Sequence, residues 1–187
     1  MSTTVMRTLS AAAALAALAA LTPVLAAAPA YAATATFNDA VGDISHSADL
    51  RSVSVNNADK NVRIRLTVRD LAPNKGVGAT VFLDTDGERG PEYAMVAGLT
   101  GGADYYLVRT DSWKLGKART PMTCSHTLRL DNAANTARIR ISKECFEAVP
   151  GDGDMRVEVR TSGTADGKSV VDWLGSARTF GASIAQD

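Results

Sequence analysis

The stretch NVRIRLTVRD, residues 61–70, decides the fold. Val62, Ile64, Leu66 and Val68 alternate without a break with Arg63, Arg65, Thr67 and Arg69. A period of two sends one set to each face of a β-strand, apolar toward a core and charged toward water. The same period recurs in DMRVEVR (154–160), with Met155, Val157 and Val159 inward and Arg156, Glu158 and Arg160 outward. LRSVSVNN (50–57) reads as the hairpin partner of 61–68, across the turn NNADKN (56–61). Further strands are expected near 34–38, 79–84, 93–98, 104–109, 124–130, 137–142 and 169–174. Short strands separated by Gly-, Asn- and Asp-containing turns predict an all-β antiparallel sandwich, immunoglobulin-like or jelly-roll-like. Outside the first 32 residues no segment carries a helical period.

Residues 1–32 read as a secretory signal peptide. Arg7 supplies the positive end, AAAALAALAALTPVLAAA the apolar stretch and AYA (30–32) the small-x-small cleavage site. The run is nearly long enough to span a bilayer as an anchor, but Pro23 and the APAYA sequence beyond it favour cleavage. A single domain over 33–187 follows, expected to be secreted and extracellular, with no membrane attachment after cleavage. Only Arg7 leaves with the signal, so the mature chain has 19 basic against 20 acidic residues. A neutral total gives no reason to expect nucleic acid as a partner.

Export places Cys124 and Cys145 in an oxidising compartment. CSHTLRL (124–130) and ARIRISKEC (137–145) form a hairpin around DNAANT (131–136). Pairing Leu130 with Ile139 and Leu128 with Ile141 also sets Cys124 opposite Cys145, on the apolar face. A disulfide between them is expected.

Few residues look like chemistry. VFLDTDGERGPEY (81–93) breaks an apolar run with Asp84 and Asp86, and Asp-x-Asp-Gly sets two carboxylates on one side of a turning backbone. NDAVGDISHSAD (38–49) adds Asp39, Asp43 and Asp49; were the two segments to meet, their carboxylates would call for a cation. Asp-Gly and Gly-Pro are also ordinary turn residues, so the 84–92 loop has two readings, calcium site and turn. PGDGDM (150–155) reads as a turn. No Gly-x-Ser-x-Gly elbow or His-Glu-x-x-His helix accompanies His46 and His126, though a carboxylate pair of the glycosidase type needs no motif. Trp113 in DSWKLGK has polar neighbours, and Tyr105 and Tyr106 in DYYLV point to opposite faces; these three are the candidate ring platforms for a sugar, while Trp173 in VVDWLG reads as core. Eight arginines, 63, 65, 69, 129, 138, 140, 156 and 160, lie outward on strands.

The pattern Phe-x-Asp-x-x-Gly-Asp (Phe37, Asp39, Gly42, Asp43), then Asp49-Leu50 opening a strand, a hairpin, and a strand ending in Asp84-x-Asp86 resembles small exported actinobacterial β-sandwich proteins. More distantly it is similar to carbohydrate-binding module family 9 and DOMON-like domains. The resemblance covers roughly the first half of the mature chain. It implies a sandwich with structural calcium and, in some relatives, a sugar site between aromatics. The paired tryptophans that clamp sugar in the module family have no counterpart that can be placed here. Met95, Met122 and Met155, with the two histidines, lack any spacing that supports the haem ligation known among DOMON relatives. The expected protein is therefore a secreted, non-enzymatic domain with calcium at Asp39, Asp43, Asp84 and Asp86, docking on a polysaccharide or cell-wall polymer. The alternatives are a secreted protein-interaction or inhibitor domain using loop 84–92 or 113–121, and a hydrolase with an unrecognised site.

Overall fold

In a computed structural model of the chain, residues 34–116, 119–146 and 153–187 are described. The expected signal peptide lies outside them, as do residues 117–118 of the 113–121 loop and 150–152 of the 150–155 turn. Ten strands form: β1 (Thr34–Asn38), β2 (Leu50–Ala58), β3 (Asn61–Val68), β4 (Gly78–Asp84), β5 (Tyr93–Gly98), β6 (Tyr105–Arg109), β7 (His126–Asp131), β8 (Thr136–Ser142), β9 (Arg156–Ala165) and β10 (Lys168–Trp173). They make two antiparallel five-stranded sheets, in the orders β1-β2-β3-β8-β7 and β10-β9-β4-β5-β6. Each sheet is a three-stranded meander from the first half of the chain, extended by a hairpin from the second half. The fold is the expected β-sandwich.

The alternation at 61–68 holds side chain by side chain. Val62, Ile64, Leu66 and Val68 are buried between the sheets, and Arg63 and Arg65 are exposed. From the second sheet Val81, Leu83, Met95, Leu107, Val157 and Val159 meet them in one core. Removing each such side chain from water is worth about 2 kcal/mol, which is what closes the two layers on each other.

The second sheet is covered on its outer face as well. Phe82, Ala94 and Val108 point away from the main core, yet they too are buried. Trp113, Leu115, Trp173 and Phe180 form the cover. This is why β4 reads as the unbroken run ATVFL rather than as an alternation. It also corrects the reading of Glu158, whose outward parity is right but whose side chain is only 1% exposed.

The β7–β8 hairpin departs from the expected register. Leu128 pairs with Ile139 and Leu130 with Ala137, two residues tighter than the sequence suggested. Asp131 Oδ1 accepts from Ala134 N and Asn135 takes a left-handed φ of 52°, which closes a short turn within 131–136. A shift of two leaves every side chain on its expected face. The Cys124–Cys145 disulfide forms as expected, because a 3-10 turn, Lys143–Cys145, returns Cys145 to its partner beyond the end of the ladder.

This bridge closes 21 positions, worth about 3 kcal/mol in the chain-entropy account. The double variant Cys124→Ser, Cys145→Ser is expected to melt about 10 °C below the parent. Equal melting temperatures, with the disulfide verified in the parent by thiol titration, would show that the bond adds nothing to the fold.

Candidate functional site

Asp84 ends β4 with its side chain fully buried, and its charge is met by Arg156 at the start of β9. The guanidinium reaches Asp84 Oδ2 through Nε and a terminal nitrogen, and it also donates to the Glu88 carbonyl. Asp84 Oδ1 accepts from Gly87 N at 2.8 Å and from Asp86 N at 3.2 Å. Glu92 Oε2 accepts from Thr85 N at 2.6 Å, and Asp86 Oδ1 from Glu88 N at 2.8 Å. Burial, and then the charges of Asp86 and Asp84, push the Glu92 carboxyl above its ordinary range. Carboxylate oxygens of Asp84, Asp86 and Glu92 still lie within 4.8 Å of one another. The loop's leading acid, however, already has a cation, supplied by Arg156.

The structure does not bring Asp39 and Asp43 to this loop. They gather with Asp172 of β10, ligand oxygens within 4.8 Å of one another. Asp172 pairs with Thr161, which pairs in turn with Ala79, five residues along β4 from Asp84 and thus about 17 Å away. The four aspartates singled out in the sequence fall in two clusters, one joined by Asp172 and the other by Glu92. Asp172 carried no usable signal, because reading its neighbour Trp173 as core turns Asp172 outward, whereas the structure buries Asp172 and places Trp173 in the outer cover. Glu92 carried only its place in a turn-rich segment.

The aromatic candidates divide. Trp113 is not a free platform: it packs edge-on to Phe82 at 5.0 Å and against Phe180 at 4.7 Å. Tyr105 and Tyr106 are both exposed, because β6 is an edge strand, and Tyr105 meets His126 at 5.9 Å. His126 Nδ1 bonds the Cys124 carbonyl, and His46 joins Ala48 N to the Thr164 carbonyl. Among the described residues both imidazoles thus bond backbone groups, not a nucleophile or a carboxylate.

The arginines divide as well. Arg156 is drawn to Asp84 and Phe180, and Arg160 lies over Trp173, both on the covered sheet. Arg63, Arg65, Arg129, Arg138 and Arg140 remain exposed on the outer face of the other sheet, lining an open groove of about 550 Å³.

Around Asp39 the acids are short of positive charge. Asp39 Oδ1 accepts from Gly175 N at 2.8 Å, while Oδ2 is buried with no partner among the described residues. Asp172 accepts from Leu50 N at 2.7 Å and from Trp173 N at 2.9 Å. Burial first, then Asp39 and Asp43, raises the Asp172 carboxyl to about 6. Burial, with a smaller push from Asp39, raises Glu158 to about 8, so Glu158 is carried as a neutral acid at pH 7, its Oε2 without a partner. A carboxyl whose folded pKa is raised binds more protons folded than unfolded, so its share of stability is lost as pH climbs from the unfolded to the folded value. That window runs from about 4 to about 6 for Asp172 and to about 8 for Glu158. Without added divalent cation, Glu158→Gln is expected to flatten the fall in melting temperature between about pH 5 and about pH 8. An unchanged slope would remove Glu158 from the account.

No protein-family model matches the chain, and no curated protein matches it. Among the solved structures that are similar is a carbohydrate-binding module of family 9 from Caldicellulosiruptor kristjanssonii in complex with cellotriose, at 15% identity with a TM-score of 0.44. The similarity covers 80% of this chain and 88% of that one.

Proposed function

We propose that this chain is an exported, non-enzymatic β-sandwich domain that docks on an extended polysaccharide or cell-wall polymer, with calcium bracing the loop beside the docking sheet. The observation that carries the reading is the asymmetry of the sandwich. The outer face of the second sheet is capped around Phe82 by an aromatic cover, with Tyr106 and Val171 exposed beyond it, whereas the outer face of β2-β3-β8-β7 is uncapped, polar and grooved. A flat open groove suits a chain laid across it and gives no enclosure for a reacting group. Export is supported by the n-region, apolar stretch and cleavage site of residues 1–32.

The calcium is assigned to Asp39, Asp43 and Asp172, not to the 84–92 loop. Calcium takes hard oxygen ligands, and here three carboxylates converge, one with an orphaned buried oxygen. The charges acting on Asp39 and Asp172 are all negative, in contrast to Asp84 with its Arg156. When bound, the ion would supply the missing positive charge and tie the β1–β2 connection to the edge strand β10. The "DTDG" loop is then a turn held by an internal cation.

Two measurements test the reading. Millimolar calcium after chelation is expected to raise the melting temperature by about 5–10 °C. The rise is expected to vanish in Asp43→Asn and persist in Asp86→Asn. No rise, or the opposite pattern in the two variants, overturns the assignment of the ion. Incubation with insoluble cellulose, chitin, pectin and isolated cell walls is expected to deplete the domain from solution. A domain left wholly in solution by all of them overturns the docking.

A further inference from the structure

The bare groove is not merely polar; its charge is of one sign and of one residue type. The register of β3, β8 and β7 sets Arg63 opposite Arg140, Arg65 opposite Arg138, and Arg138 opposite Arg129. Neighbouring strands are about 4.8 Å apart, and like charges directly opposite each other destabilise a sheet. Elsewhere three arginines are matched with carboxylates among the described residues, Arg156 with Asp84, Arg51 with Asp49 and Arg119 with Asp111. This face differs. Arg63 donates to Asn56 Oδ1 and Arg140 to Asn61 Oδ1, both neutral amides. A single carboxylate, Asp131, stands 3.9 Å from Arg138. Arg65 and Arg129 have no ion pair among the described residues.

Resting on the polymer-docking reading above, we infer that this arginine ladder is the binding face for an acidic polysaccharide, one that carries carboxylates along a hydroxyl-rich chain. The guanidinium fork meets a carboxylate with two parallel hydrogen bonds, which an ammonium cannot do, and no lysine lines the groove. No aromatic side chain lines it either, so the ring stacking that holds neutral sugars or nucleobases is missing there. Toward β1 and β2 the same face passes from arginine to hydroxyls and amides. Thr36 Oγ1 donates to Ser54 Oγ at 3.3 Å, and Asn56 Nδ2 to Thr34 Oγ1 at 3.1 Å. One half of the face thus suits carboxylates and the other suits the hydroxyls of the same polymer.

The test uses the mature domain, with polygalacturonate as the acidic probe, cellulose as the neutral one and a DNA duplex as a non-glycan polyanion. Polygalacturonate is expected to bind, more weakly as salt is raised, and Arg65→Gln with Arg138→Gln is expected to cut that affinity by about tenfold or more. The double variant should melt no lower than the parent, since it removes a like-charge pair, which separates lost binding from lost fold. Binding to cellulose without polygalacturonate overturns the inference and leaves the docking reading standing. Binding to neither, nor to any other polysaccharide or cell wall, overturns both. Polygalacturonate affinity untouched by the double variant, or tighter binding to DNA, overturns the inference alone.

Discussion

A β-strand has two faces, and in this chain the inner face of every central strand is committed to one shared apolar core. Val62, Ile64 and Leu66 from one sheet and Val81, Leu83 and Val159 from the other leave no room there for a polar site. Whatever the domain does must be done at its edges, in its loops, or on an outer face. The aromatic cover over Phe82 then takes the Phe82 end of one outer face out of use. Trp113, Trp173 and Phe180 are the residues from which a sugar platform would be built, and the fold employs them as packing. Among the described residues two places then stand out by their unbalanced charge, the acid cluster beside edge strand β10 and the open face of β2-β3-β8-β7.

What was legible in the sequence follows from how local each determinant is. The strand NVRIRLTVRD shows its inward set because one face is buried and the other is wet, so a period of two is written in it. The disulfide was legible through parity, which survives a slip of two residues. The register was not, since it depends on the tight closure at Asp131 and Asn135 and on a 3-10 turn beyond the ladder. Glu158 was illegible for a different reason. Its neighbours in RVEVR announce a solvent-facing position, and only the chain around Leu174 and the aromatic cover, distant in sequence, take it out of water. The pairing of Asp39 and Asp43 with Asp172 is likewise a product of topology, because it requires the β1–β2 connection to lie against the last strand of the other sheet.

The two halves of the site reading are linked by the distribution of charge. The full chain is formally neutral, yet its charge is sorted. Asp39, Asp43 and Asp172 gather beside β10 with no ion pair of their own among the described residues, and guanidinium groups accumulate on β3, β8 and β7 with one carboxylate, Asp131, at 3.9 Å from Arg138. Both arrangements oppose Coulomb's law within the isolated domain, and each is relieved by a ligand of the opposite sign. Asp84 shows that the chain can solve such a conflict internally, since Arg156 crosses from β9 to meet it. Arg51 lies beside Asp39 but its guanidinium is taken by Asp49; a further arginine or lysine aimed at Asp39, or a glutamate in place of Thr127 beside Arg140, would have been the equivalent internal solution. Their absence at both places, in a chain that uses the device elsewhere, favours external partners: a hard cation for the acids and a polyanion for the arginines. The two proposals are separable by chemistry, because a cation would stabilise the fold whereas a polyanion would only relieve repulsion on a face the fold does not need.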